Sequence, residues 1–179
     1  KPWPSCRHTH PVIDGALELA GKLDGLPIES IRIATYQAAL DVCDRPVAES
    51  EYEAKFSLQH CAAIALSRGK VDFSAFGSAA RGEAGALAKK VSVRCTDGFD
   101  GAYPEAWGAG ITVAFADGSS IEASREVCRG DPEAALSADE MTDKARDLMA
   151  FGGLNDSGGV IEQVLGMAEG GKVPELSLL

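Results

Sequence analysis

Apolar residues recur at three-to-four spacing through residues 10–23. Val12, Ile13, Ala16, Leu17, Ala20 and Leu23 form one broad stripe there. The pattern predicts a helix with Pro11 in its first turn, ended by Gly25 and Pro27. In residues 28–42 the pattern changes to alternation. Ile31 and Ile33 lie on one side and Arg32 on the other, which predicts a half-buried strand running at least through Tyr36. Asp44-Arg45-Pro46 breaks it. Residues 51–68 are apolar almost all round and predict a buried helix stopped by Gly69. A short extended piece is expected at 71–76, and a helix weakened by Gly82 and Gly85 at 79–90. Residues 91–95 alternate cleanly and read as a strand. Residues 97–110, rich in glycine, proline and aromatics, read as a loop. Two strands, 109–116 and 119–125, flank Asp117-Gly118, a strong hairpin signal. After a break at Gly130-Asp131-Pro132, Ser137 and Glu140 fit a capping box that starts a helix over 137–151. Glycine pairs then bracket a loop, a last helix is expected over 160–168, and the chain ends in an apolar Leu176-Ser-Leu-Leu179 tail that suits packing against a partner. The fold class expected is α+β. Residues 1–135 form a mostly antiparallel sheet with helices on one face, and residues 136–179 form a C-terminal helical segment.

Composition narrows the function classes. The 179 residues suit one domain, or one domain with an appendage, and carry a formal net charge of -10. That charge argues against nucleic acid and against anionic membrane surfaces as partners. No apolar run approaches the roughly 20 residues that span a bilayer. Five cysteines, Cys6, Cys43, Cys61, Cys95 and Cys128, are odd in number and scattered, with no CxxC pair. Neither a zinc site nor a disulfide framework is indicated, and a reducing cytoplasm is the simplest home. The chain opens on Lys1 inside a basic strip, so a larger protein with further sequence upstream is expected.

That strip is the candidate chemistry. Lys-Pro-Trp-Pro-Ser-Cys-Arg-His-Thr-His holds Lys1, Arg7, His8 and His10 and no acid, on an otherwise acidic chain. Pro2 and Pro4 stiffen it. Such a strip suits a carboxylate-bearing ligand; the plain alternative is a solvated N-terminal arm. His10 falls at the expected N-cap of the first helix, where the partial positive charge disfavours protonation and leaves a neutral imidazole. It either acts on substrate or merely caps the helix or bonds Asp14. His8 is expected to be exposed. Lys1 is placed to neutralise a carboxylate or transfer a proton. Arg7 and Arg45 each have the geometry to clamp a carboxylate in two-pronged fashion. Ser57 and His60 lie near each other on a helix without an orienting acid. His60 is therefore expected to be a core histidine, and Ser57 with Gln59 a pocket edge. Cys6, among basic neighbours, is the one cysteine expected to do more than fill space.

Lys1-Pro-Trp-Pro-Ser-Cys-Arg-His-Thr-His10 followed by Val12-Ile-Asp14 resembles the K-P-Y-P-S-C-x-x-T-H-x-x-I-D stretch of the MmgE/PrpD family. Asp44-Arg-Pro46, Ala54-Lys-Phe-Ser-Leu-Gln-His-Cys61 and Gly69-Lys-Val71 resemble its N-R-P, A-R-F-S-x-x-Y and G-x-V/I segments in order. The family includes 2-methylcitrate dehydratase, cis-aconitate decarboxylase and iminodisuccinate epimerase. The resemblance implies an α+β lid in residues 1–135. It also implies C-terminal helices in 136–179 that belong to a helical domain lying mostly upstream of Lys1. It implies a lyase or isomerase that moves a proton next to a carboxylate of a small di- or tricarboxylic acid, without metal or organic cofactor, as a cytoplasmic homodimer. Lys1 and His10 are then the catalytic groups, with Cys6, Arg7, Arg45 and Ser57 binding substrate. Cis-aconitate decarboxylases carry a functional tyrosine just before N-R-P, where this chain reads Asp41-Val-Cys-Asp44, and His60 replaces the family's aromatic. Both departures point to a divergent member. The competing expectation is a free-standing, non-catalytic α+β module that binds a carboxylate or mediates dimerisation.

Overall fold

A broad apolar stripe opened by Pro11 forms α1 (His10–Ala20), preceded by a 3-10 turn over Arg7–Thr9. Val12, Ile13, Ala16 and Leu19 on this helix are fully buried. The chain then extends into β1 (Ile28–Thr35), where Ile31 and Ile33 are buried and Arg32 is exposed. The computed structural model describes residues 1–154, 156–168 and 170, so the apolar tail at 176–179 lies outside the described residues.

The strand expected to run at least through Tyr36 stops at Thr35. Residues Gln37–Cys43 form α2 instead, with Ala39 and Cys43 buried at helical spacing. A distant side chain starts this helix: Asp100 Oδ1 accepts the Gln37 amide N–H at 2.8 Å. The long helix expected over 51–68 is also divided, into α3 (Glu51–Ala54) and α4 (Leu58–Arg68). Two contacts account for the break. The Cys6 amide donates to the Lys55 carbonyl at 2.9 Å, and Ser57 Oγ accepts from the His60 amide and caps α4. Gly69 closes α4 in the left-handed region at φ 63°, as its sequence position predicts.

Residues 71–76 form no strand, and only their first part is extended. Phe73–Phe76 form a 3-10 turn, because Asp72 Oδ1 takes the Ser74 amide at 2.9 Å. Then come α5 (Ser78–Ala88), β2 (Val91–Cys95) and α6 (Asp97–Ala102), the last lying inside the segment expected to be a loop. The hairpin forms as expected from β3 (Ala109–Phe115) and β4 (Ser120–Arg125). Gly118 turns at φ 88°, and Asp117 Oδ1 holds the Ser119 amide at 2.9 Å.

The four strands lie in the order β2-β1-β3-β4. The pairings β1–β3 and β3–β4 are antiparallel and β1–β2 is parallel, so the fold is α+β with a mixed, mostly antiparallel sheet. Alternate residues of β3, Ala109, Ile111, Val113 and Phe115, are buried on the face covered by α1 and α4. Gly15 permits the close approach of α1, since a Cβ there would lie 2.9 Å from Ile111 Cγ2.

The chain divides into two compact units, Lys1–Ala135 and Leu136–Leu179. In the second, Ser137 and Glu140 form the expected capping box at the start of α7 (Ala138–Phe151), followed by α8 (Gly158–Ala168). Met141, Leu148, Phe151, Val164 and Leu165 are exposed on these helices. Among the described residues no helix is long and apolar enough to cross a membrane.

Two glycine substitutions test this packing with opposite signs. A Cβ on Gly108 would lie 2.7 Å from the Arg125 carbonyl oxygen and 2.8 Å from the Phe99 ring. Gly108→Ala is therefore expected to cost about 1–3 kcal/mol in urea unfolding, because a paired strand cannot retreat. Gly82 sits inside α5 with open space around it. Gly82→Ala is expected to raise stability by about 0.5–1 kcal/mol in the same assay.

Candidate functional site

From Pro2 on, the N-terminal strip is buried or half-buried and its 3-10 turn packs against α1 and α2, while Lys1 is exposed. Lys1 Nζ donates to the Ser5 carbonyl oxygen at 3.3 Å, and His10 Nε2 approaches the same oxygen at 3.4 Å. The ammonium and the imidazole therefore meet on one atom. Arg7 Nη1 points at His10 Nδ1 at 3.2 Å. A guanidinium can only donate, so Nδ1 must accept and the ring proton must sit on Nε2. His10 is thus a neutral imidazole that donates to Ser5. Its pKa is lowered to about 3, first by burial and then by the positive charge of Arg7. The neutral state expected from the helix N-terminus holds, but burial is its main cause. Thr9, not His10, occupies the cap position of α1, and Asp14 is engaged elsewhere, accepting from Trp3 Nε1 at 2.8 Å. His10 itself is fully buried.

Arg7 is anchored from behind. It donates to the Arg129 carbonyl at 3.1 Å and forms an ion pair with Asp131. The other Asp131 oxygen receives the Cys128 amide at 3.0 Å. Arg7 is therefore already matched to a carboxylate of its own chain. The sequence marks Asp131 only as part of a break, and a separation of 124 residues leaves no local signal for its pairing with Arg7.

His8 is half-buried, contrary to the expectation of an exposed side chain. It stacks on Trp107 with ring centroids 4.7 Å apart and accepts or donates at Nδ1 to Tyr36 Oη, 2.8 Å away. Tyr36 stacks in turn on Tyr103 at 4.6 Å. Burial raises the Tyr36 pKa, so its phenol stays protonated in this pair. Burial first, then the charge of Lys1, lowers the pKa of His8. The aromatic richness of residues 97–110 was the available sequence signal for this wall.

Cys6 lies half-buried in the strip, and Cys43 is buried at the end of α2. The Cys6 pKa is lowered to about 6. A hydrogen bond from the Cys43 thiol contributes most, burial opposes it, and the His8 amide and Lys1 charge assist. The Cys43 pKa is raised correspondingly by Cys6 and by burial.

Arg45 and Ser57 form a separate structure. Arg45 is exposed and its Nε donates to the Val42 carbonyl at 3.3 Å. Ser57 Oγ donates to the Arg45 carbonyl at 2.6 Å, and the Gln59 side chain binds the Arg45 amide and Asp44. His60 is a buried core histidine with Nε2 2.8 Å from the Ala75 carbonyl.

Two clefts open elsewhere on the first unit. One of about 510 Å³ lies over Arg32, Arg94, Thr112 and Phe99, and another of about 710 Å³ over Trp3, Asp14, Arg125 and Arg129. Neither is lined by Lys1, Cys6, His8 or His10. Among the described residues no group of three His, Cys, Asp or Glu side chains could hold a metal ion.

Comparison with known families places this geometry. The description MmgE/PrpD C-terminal domain matches residues 3–163. The chain belongs to the MmgE/PrpD family. That match takes in the basic strip from Trp3 on, the sheet, α7 and the first part of α8, and Lys1 precedes it. A search of curated proteins gave no match. The family contains dehydratases and related enzymes.

The protonation state of His10 is directly measurable. Nitrogen-detected imidazole spectra are expected to show the Nε2–H tautomer unchanged down to about pH 4. The folded pKa lies below the ordinary 6.5. The stability this contributes is therefore complete above about pH 6.5 and is lost as pH falls toward 3. His10→Gln is expected to flatten that part of the stability–pH curve. A His10 resonance that titrates near pH 6.5 in the folded protein contradicts the assignment.

Proposed function

We propose that this chain is part of a lyase or isomerase that moves a proton next to a carboxylate of a small di- or tricarboxylic acid. Residues 1–135 act as a lid, and residues 136–179 belong with a helical domain that carries the opposite wall. The full protein works as a cytoplasmic homodimer without metal or organic cofactor. Family membership supports the class of reaction. The observation that carries the reading is the meeting of Lys1 Nζ and His10 Nε2 on the Ser5 carbonyl, next to Cys6.

Removing a proton beside a carboxylate puts negative charge on the carboxylate oxygens as an enolate develops. A cation held close by stabilises that charge, and a base with a pKa near the working pH accepts the proton. Lys1 is the cation in this reading. Its stem is fixed by the bond to Ser5, which offsets the entropy that a free lysine would lose on binding. Cys6, ionised near neutral pH, is the base available on this chain. His10 and Arg7 lie behind them as positioning residues: the imidazole bonds the Ser5 carbonyl, and Arg7 sets its tautomer. His8, held by Tyr36 and Trp107, walls one side. Arg45 and Ser57 enter only as supports of the loop before α3.

Expressed from its full reading frame, the protein is expected to turn over 2-methylcitrate, cis-aconitate or iminodisuccinate, or to incorporate solvent deuterium next to a carboxylate. The tyrosine missing before Asp44-Arg45-Pro46 makes cis-aconitate the least favoured of the three. Lys1→Ala is expected to lower kcat/KM by about 10²–10³-fold, as for loss of one charge-stabilising group. Residues 1–179 alone are expected to show no turnover. Carboxylate binding without any deuterium exchange in the full protein would instead favour the non-catalytic binding module.

A further inference from the structure

We propose that the open face of the sheet carries a binding site for a small polyanion, held between Arg32 on β1 and Arg94 on β2. Helices α1 and α4 pack on the other face, where Ile31, Ile33, Ile111 and Val113 are buried. The residues between them in each strand, Arg32, Ala34, Gly110 and Thr112, project from the opposite side. A cleft of about 510 Å³ opens there, a size that suits a small molecule. Both arginines line it and both are exposed. Arg94 pairs with Ala34, one step along the face from Arg32. Strand geometry puts the two arginine Cα atoms about 8 Å apart, close enough for both guanidiniums to reach one bound group.

The pairing state of the arginines singles these two out. Arg7, Arg68, Arg125 and Arg146 each pair with a carboxylate. Arg45 and Arg81 donate to backbone carbonyls, and Arg129 lies over the Trp3 ring. Among the described residues, Arg32 and Arg94 alone of the arginines have no hydrogen bond, ion pair or ring contact. The chain has 27 acidic residues against 17 Lys and Arg, so carboxylates are not in short supply. Yet the fold leaves these two guanidiniums unmatched and sets them side by side, where they repel each other. A bound anion relieves that repulsion and takes both donor forks.

The rest of the cleft fits such a ligand. Gly110 and Thr112 give a floor with little bulk, and Phe99 closes one end with its ring against β3. The Thr112 and Ser124 hydroxyls make no hydrogen bond among the described residues and stand as further donors. Arg125 and Glu18, 2.6 Å apart, neutralise each other at the rim. Glu122 is the one lining carboxylate without a partner among the described residues. It pairs with Thr112, which pairs with Arg32, so it stands two strand spacings, about 10 Å, from Arg32. It confines negative groups of the ligand to the β1–β2 side. Phosphate esters and polycarboxylates share this chemistry. The proposal does not rest on the proposed function, because the cleft is lined by none of Lys1, Cys6, His8 and His10.

The test uses the whole chain at pH 7 and low salt, titrated in parallel with pyrophosphate and with citrate. Backbone amide shifts are expected to move at Arg32, Ala34, Arg94, Gly110 and Thr112 and to saturate. Tighter binding of pyrophosphate identifies a phosphate-bearing ligand, and tighter binding of citrate a polycarboxylate. Arg32→Ala and Arg94→Ala are each expected to weaken binding by about tenfold. Glu122→Gln should tighten it by about two- to threefold, as a like charge is removed. Lys70→Ala deletes an exposed cation outside the cleft and should leave affinity unchanged. All four positions are exposed, so these variants are expected to keep the wild-type amide spectrum away from the substitution. The proposal is overturned if neither anion moves the cleft amides, or if Lys70→Ala weakens binding as much as Arg94→Ala. Shifts confined to residues 1–10 also overturn it, and they would leave the proposed enzyme reading standing.

Discussion

A guanidinium aimed at an imidazole nitrogen is the contact on which the N-terminal strip depends. Arg7 has only donors, so His10 must present a lone pair at Nδ1 and carry its proton on Nε2. That tautomer alone can donate to the Ser5 carbonyl, the oxygen that also holds the Lys1 ammonium. Arg7 is in turn kept in place by Asp131, and Asp131 by the Cys128 amide. The chain of dependence runs from residue 131 back to residue 1. Loss of any buried member leaves a polar partner unpaired, which costs about 1–3 kcal/mol at each broken link. Protonating His10 places a cation against Arg7, so acid attacks the same chain at its centre.

Local pattern specified the elements whose packing is decided within a few residues. The stripe of α1, the alternation of β1 and β3, the turn at Asp117-Gly118 and the box at Ser137 and Glu140 are all readable without knowing the fold. The misreadings occur where another part of the chain decides. Gln37 begins a helix because Asp100, 63 residues away, takes its amide. The helix over 51–68 breaks because the Cys6 amide occupies the Lys55 carbonyl. The site divides in the same way. Lys1, Cys6 and the histidines stood out as a basic strip on an acidic chain. Asp131, which sets Arg7, and Tyr36 and Trp107, which half-bury His8, are joined to the strip only by the tertiary fold.

Two of the segments that resemble the family turn out to be halves of one clasp. Asp44-Arg45-Pro46 and Phe56-Ser57-Leu58-Gln59-His60 are tied by three hydrogen bonds: Ser57 Oγ to the Arg45 carbonyl, the Arg45 amide to Gln59 Oε1, and Gln59 Nε2 to Asp44. The same Ser57 oxygen accepts the His60 amide and starts α4. A serine at that position is thus required by helix capping and loop closure together, without reference to a ligand. The spacing between the two segments is set by the loop they close. The second half of the clasp directly follows Lys55, whose carbonyl takes the Cys6 amide at 2.9 Å.

The cationic character of the strip is narrower than its four basic side chains imply. Burial keeps His8 and His10 neutral, and Asp131 matches Arg7. Lys1 is the cation whose charge reaches Cys6, His8 and His10 alike. The same ammonium favours an ionised Cys6 and an unprotonated imidazole, because positive charge stabilises an anion and repels a second proton.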